Sequence, residues 1–295
     1  MATNSFDLSI IIISYNTKNT TLNCLNSITK SLEQTRIAYE VIVVDNASSD
    51  GSQELLSQAH NSNLEVIFNK QNVGFAKANN QAVKIARGTH ILLLNSDTVV
   101  LDDAIHKMYN FFIQNNYIHF LGAKLFNKNM SPQASSAPFY TLPVIFGALF
   151  LKGDYWGLTR SSPNKTVKTD WVSGACILTK KEYYEKIGGF DEGIFMYMDE
   201  VDLLYRASKQ GFHTYFYPQS HFIHLGSASS QGKTYPILQV YRGFLYFYQK
   251  HYGHLELFCL KIMLQLKAVI SIIIGYITHN SYLINTYEEA LKLAR

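Results

Sequence analysis

The sequence predicts an α/β fold in which a mainly parallel sheet is flanked by helices. Short apolar runs rich in β-branched residues lie at residues 8–13, 40–44, 64–68 and 91–94, and such runs are typical of buried parallel strands. Segments with apolar residues at helical spacing separate each run from the next. This β-α-β-α-β-α-β alternation indicates a parallel sheet with helices on both faces. An apolar content of 47% over 295 residues is enough for a large core.

The helices of the first half can be placed from their apolar spacing and their end signals. The first is predicted over residues 22–32. Cap-forming residues at 48–50 introduce a second helix over 52–60. A third helix covers 75–85, and Gly88 is expected to end it.

The second half of the chain is less regular. A helix is predicted over residues 103–115 and a strand over 117–126. The stretch 131–168, rich in turn-forming residues, predicts a long loop that could cover a substrate as a mobile lid. A strand over 171–179 and a short helix over 180–187 follow.

Three acidic residues stand together in the next predicted helix. Within residues 195–206, Val201, Leu204 and Tyr205 follow helical spacing, which places Asp199, Glu200 and Asp202 in the first turn of a helix that Gly211 ends. The helix dipole favours carboxylates at this position, so capping is one interpretation. Three acids in four residues exceed what capping needs, so the other interpretation is a chemical role for at least one of them.

Polar residues follow the strands of the parallel series at the point where each strand ends. Because the carboxyl ends of parallel strands meet at one edge, these side chains should form a polar crevice of the kind that binds nucleotides. They are Tyr15, Asn16, Asp45, Asn46, Asn69, Asn72, Asn95, Ser96 and Asp97. No glycine-rich dinucleotide fingerprint or P-loop is present, which disfavours an oxidoreductase or a P-loop NTPase. A divalent metal on Asp97 is the expected means of holding pyrophosphate.

Two histidines follow a further predicted strand at residues 213–217. His221 and His224 come after Pro218, just past the expected end of that strand. A lone histidine is usually a surface residue or a satisfied core residue. A histidine beside carboxylates in a cleft is a candidate metal ligand.

Charge and cysteine content limit the partners and the compartment. The net charge of +4 is mild and the basic residues form no runs, so a nucleic-acid partner is disfavoured. Cys24, Cys176 and Cys259 fit neither a metal pattern nor a disulfide framework, which indicates a reduced compartment. The first residues lack the basic start and apolar run of a signal peptide.

The C-terminal part is predicted to be helical and partly amphipathic. Residues 235–252 form an aromatic helix, in which Arg242 and Lys250 either meet an acceptor phosphate or are simply solvated. Residues 258–277 share one apolar face, and the uncharged stretch 268–278 is too short to span a bilayer. Two interpretations remain. One is a helix lying on the inner membrane surface, and the other is a helix that packs against the catalytic domain or a twin subunit in a homodimer.

Eight different short segments along the chain together indicate a family. They are S-I-I-I-I-S-Y-N at 9–16, V-I-V-V-D-N-A-S-S-D-G-S at 41–52, N-V-G-F-A-K-A-N-N at 72–80, L-L-L-N-S-D at 92–97, W-V-S-G-A at 171–175, I-G-G-F-D-E at 187–192, D-E-V-D-L-L-Y-R at 199–206 and H-L-G at 224–226. Together they resemble the inverting glycosyltransferases of family 2, most closely the rhamnosyltransferase-like branch. The resemblance implies the nucleotide-diphospho-sugar (GT-A) fold over residues 1–232, with a donor half at about 1–100 and an acceptor half at about 101–232. Residues 233–295 would be a C-terminal helical extension.

The resemblance also implies donor-side roles. Asp45 would accept a hydrogen bond from uracil or thymine. Asp97 would be the metal-binding acid of the Asp-x-Asp motif, with Mg²⁺ or Mn²⁺ as the cofactor, and His224 would add a second metal or diphosphate contact. The other donor-side residues are Ser14, Tyr15, Asn16, Asn72, Gly74, Asn79, Asn95 and Ser96. Asn95 departs from the family pattern, because it stands where the first acid of the motif is expected.

On the catalytic side, Glu200 falls where the family has its base. The usual Glu-Asp or Glu-Glu pair is Asp199-Glu200 here, which keeps Asp199 as an alternative base. Trp171, Gly174 and Asp202 would lie on the acceptor side.

The implied reaction is the transfer of a sugar from dTDP-rhamnose or a UDP-sugar to a hydroxyl of a glycan or lipid-linked glycan, in cell-surface polysaccharide synthesis. The protein would then be cytoplasmic, or peripheral on the inner face of the cell membrane. Two alternatives stay open. A nucleotidyltransferase shares the architecture but usually has a glycine-rich basic loop after the first strand. An inactive glycan-binding or scaffold protein is suggested by Asn95.

Overall fold

The structure is a computed structural model that describes residues 6–59, 62–226 and 234–295. Its first half is the predicted alternating series, in which each strand runs parallel to its neighbour in the sheet. The elements are β1 (Phe6–Ser14), α1 (Lys18–Leu32), β2 (Tyr39–Asp45), α2 (Ser52–Ser57), β3 (Leu64–Phe68), α3 (Phe75–Ile85) and β4 (Gly88–Asn95). The predicted alternation is therefore confirmed. Helix α2 ends before the predicted residue 60, which itself lies outside the described residues.

Gly88 does not end α3, as the sequence analysis expected, but begins β4. Its N–H donates to Ser9 Oγ at 2.8 Å, and a Cβ at this position would lie 2.5 Å from the backbone nitrogen of Ser9. Gly88 therefore permits the close approach of β4 to β1.

The second half adds antiparallel strands and further helices. They are β5 (Thr98–Val100), α4 (Ala104–Gln114), β6 (Phe120–Phe126), β7 (Pro132–Gln133), β8 (Ser136–Ala137), α5 (Leu142–Phe150), β9 (Val167–Thr169), β10 (Trp171–Val172), β11 (Cys176–Lys180), α6 (Lys181–Lys186), α7 (Asp199–Lys209), β12 (Thr214–His224), α8 (Thr234–His251), α9 (His254–Ile277) and α10 (Ser281–Leu293). The main sheet has the order β3-β2-β1-β4-β11-β6-β12-β5, with β7 beside β6 and β9 beside β12. Strand β11 is antiparallel to both β4 and β6, so the sheet is mixed.

Three local expectations for this half are wrong. The stretch 131–168 is not a long loop, because α5 and the short strands β7, β8 and β9 form within it. The single strand expected over 171–179 is two strands: β10 pairs with β8 in a separate small ribbon, and β11 returns to the main sheet. His221 and His224 lie inside β12 rather than past its end, because the strand continues after an irregularity between Tyr217 and His221.

Buried apolar side chains form two clusters. One contains residues of α1 and α4, and the other contains residues of α3, α7 and the C-terminal helices. From α8, the side chains of Tyr241, Phe244, Phe247 and Tyr248 are buried in the second cluster. The C-terminal helices therefore share a core with the sheet domain. The boundary expected near residue 232 lies outside the described residues.

Helix α9 is 24 residues long and, in length and composition alone, apolar enough to cross a bilayer. This differs from the expectation drawn from the uncharged stretch 268–278. The helix is longer than that stretch because it continues through positions that carry a few charged residues, and it stays predominantly apolar. In the most apolar stretch of the helix, only 22% is buried within the protein.

A buried carboxylate joins α7 to α8. Asp202 has a fully buried side chain, and its oxygens accept hydrogen bonds from Arg206 at 2.7 Å, Lys250 at 2.8 Å and His251 at 2.6 Å. Burial by itself would raise the pKa of Asp202, but the hydrogen bonds from His251 and Lys250 and the charge of Arg206 outweigh it and lower the pKa to about 2. The Lys250 ammonium also pairs with Asp191, so it is not simply solvated as one interpretation of the sequence had it.

We predict that Asp202→Asn lowers the free energy of unfolding at pH 7 by about 3 kcal/mol, the lower end of the range for a buried ion pair that loses one partner, because Arg206 and Lys250 remain partly hydrated. A group whose folded pKa is depressed stabilises the protein above its unfolded pKa. The difference between wild type and variant should therefore shrink as the pH falls from about 4 to about 2. Urea unfolding measured across this range tests the prediction. The matched control is Asp103→Asn, which removes an exposed ion pair with Lys107 and should cost less than about 1 kcal/mol.

Candidate active site

A cavity of about 340 Å³ opens at the edge of the sheet where β1 and β4 end. Its lining comes from these strand ends, from the segment between β10 and β11, from the start of α7 and from α8. Most of the predicted site residues meet there. They are Tyr15, Asn72, Gly74, Asn95, Ser96, Asp97, Trp171, Gly174, Asp199, Glu200 and His224.

Asp97 and His224 are neighbours in this lining. His224 Nε2 lies 3.4 Å from Asp97 Oδ1, and His224 Nδ1 lies 2.7 Å from Gln133 Oε1. An amide oxygen can only accept, so Nδ1 carries the proton and donates to Gln133 when the imidazole is neutral. The lone pair of Nε2 then faces the cavity beside a buried carboxylate. A histidine oriented through its other nitrogen in this way is the usual arrangement of a metal ligand.

Asn95 supplies a third donor atom at the same place. Its Nδ2 lies 3.3 Å from His224 Nε2, and its Oδ1 is buried with no hydrogen-bond partner among the described residues. A buried amide oxygen without a partner is costly unless a ligand satisfies it. Together with Asp97 and His224 it makes a donor set that suits Mg²⁺ or Mn²⁺.

The protein alone offers few ligands for such an ion. Within the described ranges, no group of three or more His, Cys, Asp or Glu side chains could hold a metal. Mg²⁺ sites of this kind are usually completed by water and by the phosphates of the substrate. The residues therefore fit a metal that binds together with a diphosphate.

Glu200 lines the same cavity at the start of α7. The backbone N–H of Gly174 approaches its Oε1 at 3.5 Å, so the turn between β10 and β11 faces this carboxylate. The backbone before α7 is strained, since Tyr197 and Met198 have φ of +63° and +66°. Such strain in residues other than glycine is typical of functional sites, and here it precedes the helix that carries the acid.

Asp199 lies beside Glu200 but in a different environment. Its side chain is buried, and burial together with the charge of Glu200 raises its pKa well above the ordinary value. The position of Asp199 in the first helical turn would lower its pKa, but burial has the larger effect and raises the pKa. The raised pKa favours the protonated form of Asp199, which can donate a hydrogen bond to the Glu200 carboxylate.

Asp45 lies at the end of β2, next to Asn46, which lines the cavity. Its Oδ1 accepts hydrogen bonds from the Ser48 N–H at 2.9 Å and from Gln53 Nε2 at 3.0 Å. Its Oδ2 is buried and has no partner in the part of the chain that the structure describes. A ligand N–H that reached this oxygen would satisfy it.

Gly74 lies where the start of α3 contacts the segment that precedes α7. It has a φ of +86°, and a Cβ there would lie 2.9 Å from the ring of Phe195. The Phe195 carbonyl also accepts a hydrogen bond from the Phe75 N–H. Asn72 supports the turn, because its Oδ1 accepts the Gly74 N–H at 2.9 Å.

Five of the predicted site residues do not line the cavity. Asp45 is one, and the hydroxyl of Ser14 packs against Thr17 and Thr21 at the start of α1. The other three make internal contacts. Asn16 accepts the Ser49 N–H, Asn79 donates to Phe75 O, and Asp202 faces α8 as described above.

Gln133, Tyr140 and Arg160 are among the residues near the cavity that the sequence analysis missed. Gln133 orients His224, and Tyr140 and Arg160 line the cavity. The Arg160 guanidinium lies 5.3 Å from the centre of the Trp171 ring, and its Nε has no partner among the described residues. All three belong to the stretch that was expected to be a loop, where no periodic pattern indicates which side chains point inward.

We predict that Asp199→Asn raises the melting temperature at pH 7. A carboxyl whose folded pKa is raised must take up a proton on folding above its unfolded pKa, and an amide avoids that cost. The gain should disappear below about pH 4, where the unfolded chain is protonated as well. Thermal unfolding across this pH range provides the measurement. A loss of stability at pH 7 would show that Asp199 is ionised in the folded protein.

The fold is similar to that of solved glycosyltransferases. The mannosyltransferase PcManGT from Pyrobaculum calidifontis, in complex with GDP-Man and Mn²⁺, superposes with a TM-score of 0.61 over 99% of this chain and 76% of that protein. Sequence identity is 16%, so this similarity concerns the fold alone. The predicted GT-A fold is confirmed.

Sequence comparison extends the similarity to curated relatives. The low-salt glycan biosynthesis hexosyltransferase Agl10 from Haloferax volcanii is 26% identical over 211 residues, which cover 69% of this chain and 62% of that protein. The N-acetylglucosaminyl-diphospho-decaprenol L-rhamnosyltransferase from Mycobacterium tuberculosis is 41% identical over 54 residues, or 18% of each chain. The profile of glycosyl transferase family 2 matches residues 9–188. The chain belongs to glycosyl transferase family 2.

Proposed function

We propose that the chain is an inverting, metal-dependent glycosyltransferase that moves a sugar from a nucleotide-diphospho-sugar to a hydroxyl of a glycan acceptor. One observation carries the proposal. A single cavity holds the carboxylate of Glu200 together with the donor atoms of Asp97, His224 and Asn95. Such a transfer needs a base for the attacking hydroxyl and neutralisation of the departing diphosphate, and these residues suit the two tasks.

The donor nucleotide would lie along the ends of β1, β2 and β4. Asp45 Oδ2, which no described residue contacts through a hydrogen bond, suits a base that presents an N–H, as uracil and thymine do. Asn72 and Gly74 would lie near the ribose and the phosphates. A metal held by Asp97, His224 and Asn95 Oδ1 would supply positive charge for the diphosphate.

Glu200 would take the proton from the acceptor hydroxyl as its oxygen attacks the anomeric carbon of the sugar. The bond from that carbon to the nucleoside diphosphate breaks on the opposite face, which gives inversion in one displacement. Protonated Asp199 would donate to Glu200, which keeps a single negative charge on the pair and orients the base. The raised pKa of Asp199 supports Glu200 rather than Asp199 as the base.

The rhamnosyltransferase-like sequence pattern supports dTDP-rhamnose as the donor, and a UDP-sugar is the other candidate. The short stretch that matches the mycobacterial rhamnosyltransferase agrees with the first. The acceptor would be a glycan or lipid-linked glycan in cell-surface polysaccharide synthesis. The name of the Haloferax relative assigns that protein to glycan biosynthesis, which supports a glycan acceptor. The enzyme would act in the cytoplasm, at the inner face of the membrane. Residues 1–100 would bind the donor and residues 101–232 the acceptor.

A catalytically inactive glycan-binding protein is the second candidate, and the departure at Asn95 is what favours it. Thermal-shift measurements with UDP-, dTDP- and GDP-sugars, each with and without Mn²⁺, identify the donor. Release of nucleoside diphosphate from that donor then separates an enzyme from a binding protein.

We predict that Glu200→Gln lowers the transfer rate by about 10²–10⁴-fold, the usual contribution of a positioned base, while donor binding persists. The amide keeps the shape of the side chain but cannot accept the proton. Steady-state transfer and donor titration measure the two properties separately.

The matched control for this variant is Glu289→Gln, an exposed acid on α10 that should leave transfer unchanged. Full turnover by Glu200→Gln would contradict the assignment of the base.

We predict that Gln133→Ala weakens Mn²⁺ binding in the presence of the nucleoside diphosphate by about 10–100-fold, since His224 loses the partner that fixes its tautomer. Calorimetric titration with Mn²⁺ measures the effect. Gln249→Ala, at an exposed position on α8, is the control. An unchanged Mn²⁺ affinity in Gln133→Ala would argue against His224 as a ligand.

A further inference from the structure

We propose that the outer face of α9 and residues 151–158 form one docking face that lies on an anionic phospholipid bilayer, with α9 in the plane of the membrane. The inference rests on the membrane contact proposed above. Its test needs no transfer activity, so its failure and the failure of the proposed reaction can be told apart.

The apolar character of the docking face is continuous along α9. Its exposed side chains lie on one side of the helix, and they include Leu255, Phe258, Ile262, Leu266, Ile273 and Ile277. The helix is about 36 Å long at 1.5 Å per residue. An exposed apolar strip of this length is unusual on a soluble monomer and indicates a binding surface.

The two lysines of α9 decide its orientation. Lys261 and Lys267 lie in the middle of the helix, and helical geometry places them roughly 120° to either side of the centre of the exposed face. In a helix that crosses a bilayer, both charges would lie at hydrocarbon depth. In a helix lying flat, both can extend to the headgroups while the apolar strip enters the acyl region.

The opposite side of α9 is occupied by protein. Leu260, Leu264 and Ala268 are fully buried, and the helix packs against α8, α10 and α5. A spanning helix would present apolar residues all round to lipid, whereas this one presents a single face. The burial pattern and the lysine positions therefore agree on a flat orientation.

Residues 151–158 add the side chains that membrane interfaces favour. They directly follow α5, which packs against α9, and they expose Tyr155, Trp156 and Leu158 by 79%, 67% and 71%. Tyrosine and tryptophan prefer the headgroup region because their rings are apolar and carry one polar group. Exposed Lys152 is offset by exposed Asp154, so this segment contributes aromatic and apolar side chains, and the positive charge that suits anionic headgroups comes from the lysines of α9.

The docking face leads towards the proposed acceptor side of the cavity. Residues 151–158 run into Arg160, which lines the cavity and stacks on Trp171. An acceptor anchored in the bilayer by a lipid would therefore approach Glu200 from this side, with its phosphate near a guanidinium whose Nε has no hydrogen-bond partner within the described ranges.

Flotation of the purified full chain with vesicles of phosphatidylcholine and phosphatidylglycerol tests the docking face. The wild type should float with these vesicles. The double variant Trp156→Ser/Leu158→Ser should partition about tenfold less or weaker still, because each substitution removes a large apolar side chain from the interface. The matched control is Ile113→Ser, at a position that is 43% exposed on α4, and it should bind as the wild type does. Equal binding by the double variant would overturn the role of residues 151–158.

Tryptophan fluorescence gives a second measurement that does not depend on a destabilising substitution. The chain has two tryptophans, and Trp171 is only 2% exposed, so a change on vesicle addition reports on Trp156. The emission should shift to shorter wavelength with the vesicles and be quenched by brominated lipids. Trp156→Phe should abolish the shift but keep binding. No shift in the wild type would contradict the proposal.

Two further outcomes identify a different occupant of the face. Retention in membranes after alkaline carbonate extraction would overturn the flat orientation in favour of a spanning helix. Absence of vesicle binding, together with a dimer in light scattering that Leu266→Gln dissociates, would assign the face to a second copy of the chain.

Discussion

The buried carboxylate of Asp202 is the interaction on which the geometry of the cavity depends. It pairs with Lys250 and His251 of α8, and so holds against the sheet domain a helix that supplies part of the cavity wall. Arg206, its third partner, also donates hydrogen bonds to the backbone carbonyls of Ile187 and Gly189, which precede α7 in the chain. One charge cluster thus holds α7, α8 and the chain that precedes Glu200. Because the carboxylate is buried, each cation around it is energetically tied to the others.

Three acids within one helical turn have three different environments. Asp202 is surrounded by cations that lower its pKa to about 2, whereas Asp199 is buried beside another carboxylate, which raises its pKa and favours its neutral form. Glu200 lines the cavity next to the backbone N–H of Gly174. Chemically similar side chains are therefore divided into a structural anion, a neutral neighbour and a candidate base. This division comes from burial and partners, and spacing along the chain contains no information about it.

The candidate metal side shows the same dependence on distant partners. Asn95 and Asp97 are neighbours in sequence and were predicted as one group. His224 joins them from β12, and its orientation comes from Gln133 in a segment that was expected to be an unstructured loop. Short strands and apolar helices in that segment have no repeated pattern long enough to identify them. Arg160 was missed for the same reason, although it is a cation in the cavity lining.

The sequence by itself determined the alternating first half, the edge of the sheet at which polar residues collect, and the family resemblance. Those features follow from local periodicity and from the rule that parallel strands end at one edge. Only the tertiary structure decided that β11 runs antiparallel, that Asp202 faces α8, and that α9 has one buried and one exposed side. Each of these depends on which surfaces meet after the chain has folded. Pairings over such sequence separations leave no periodic pattern in the chain itself.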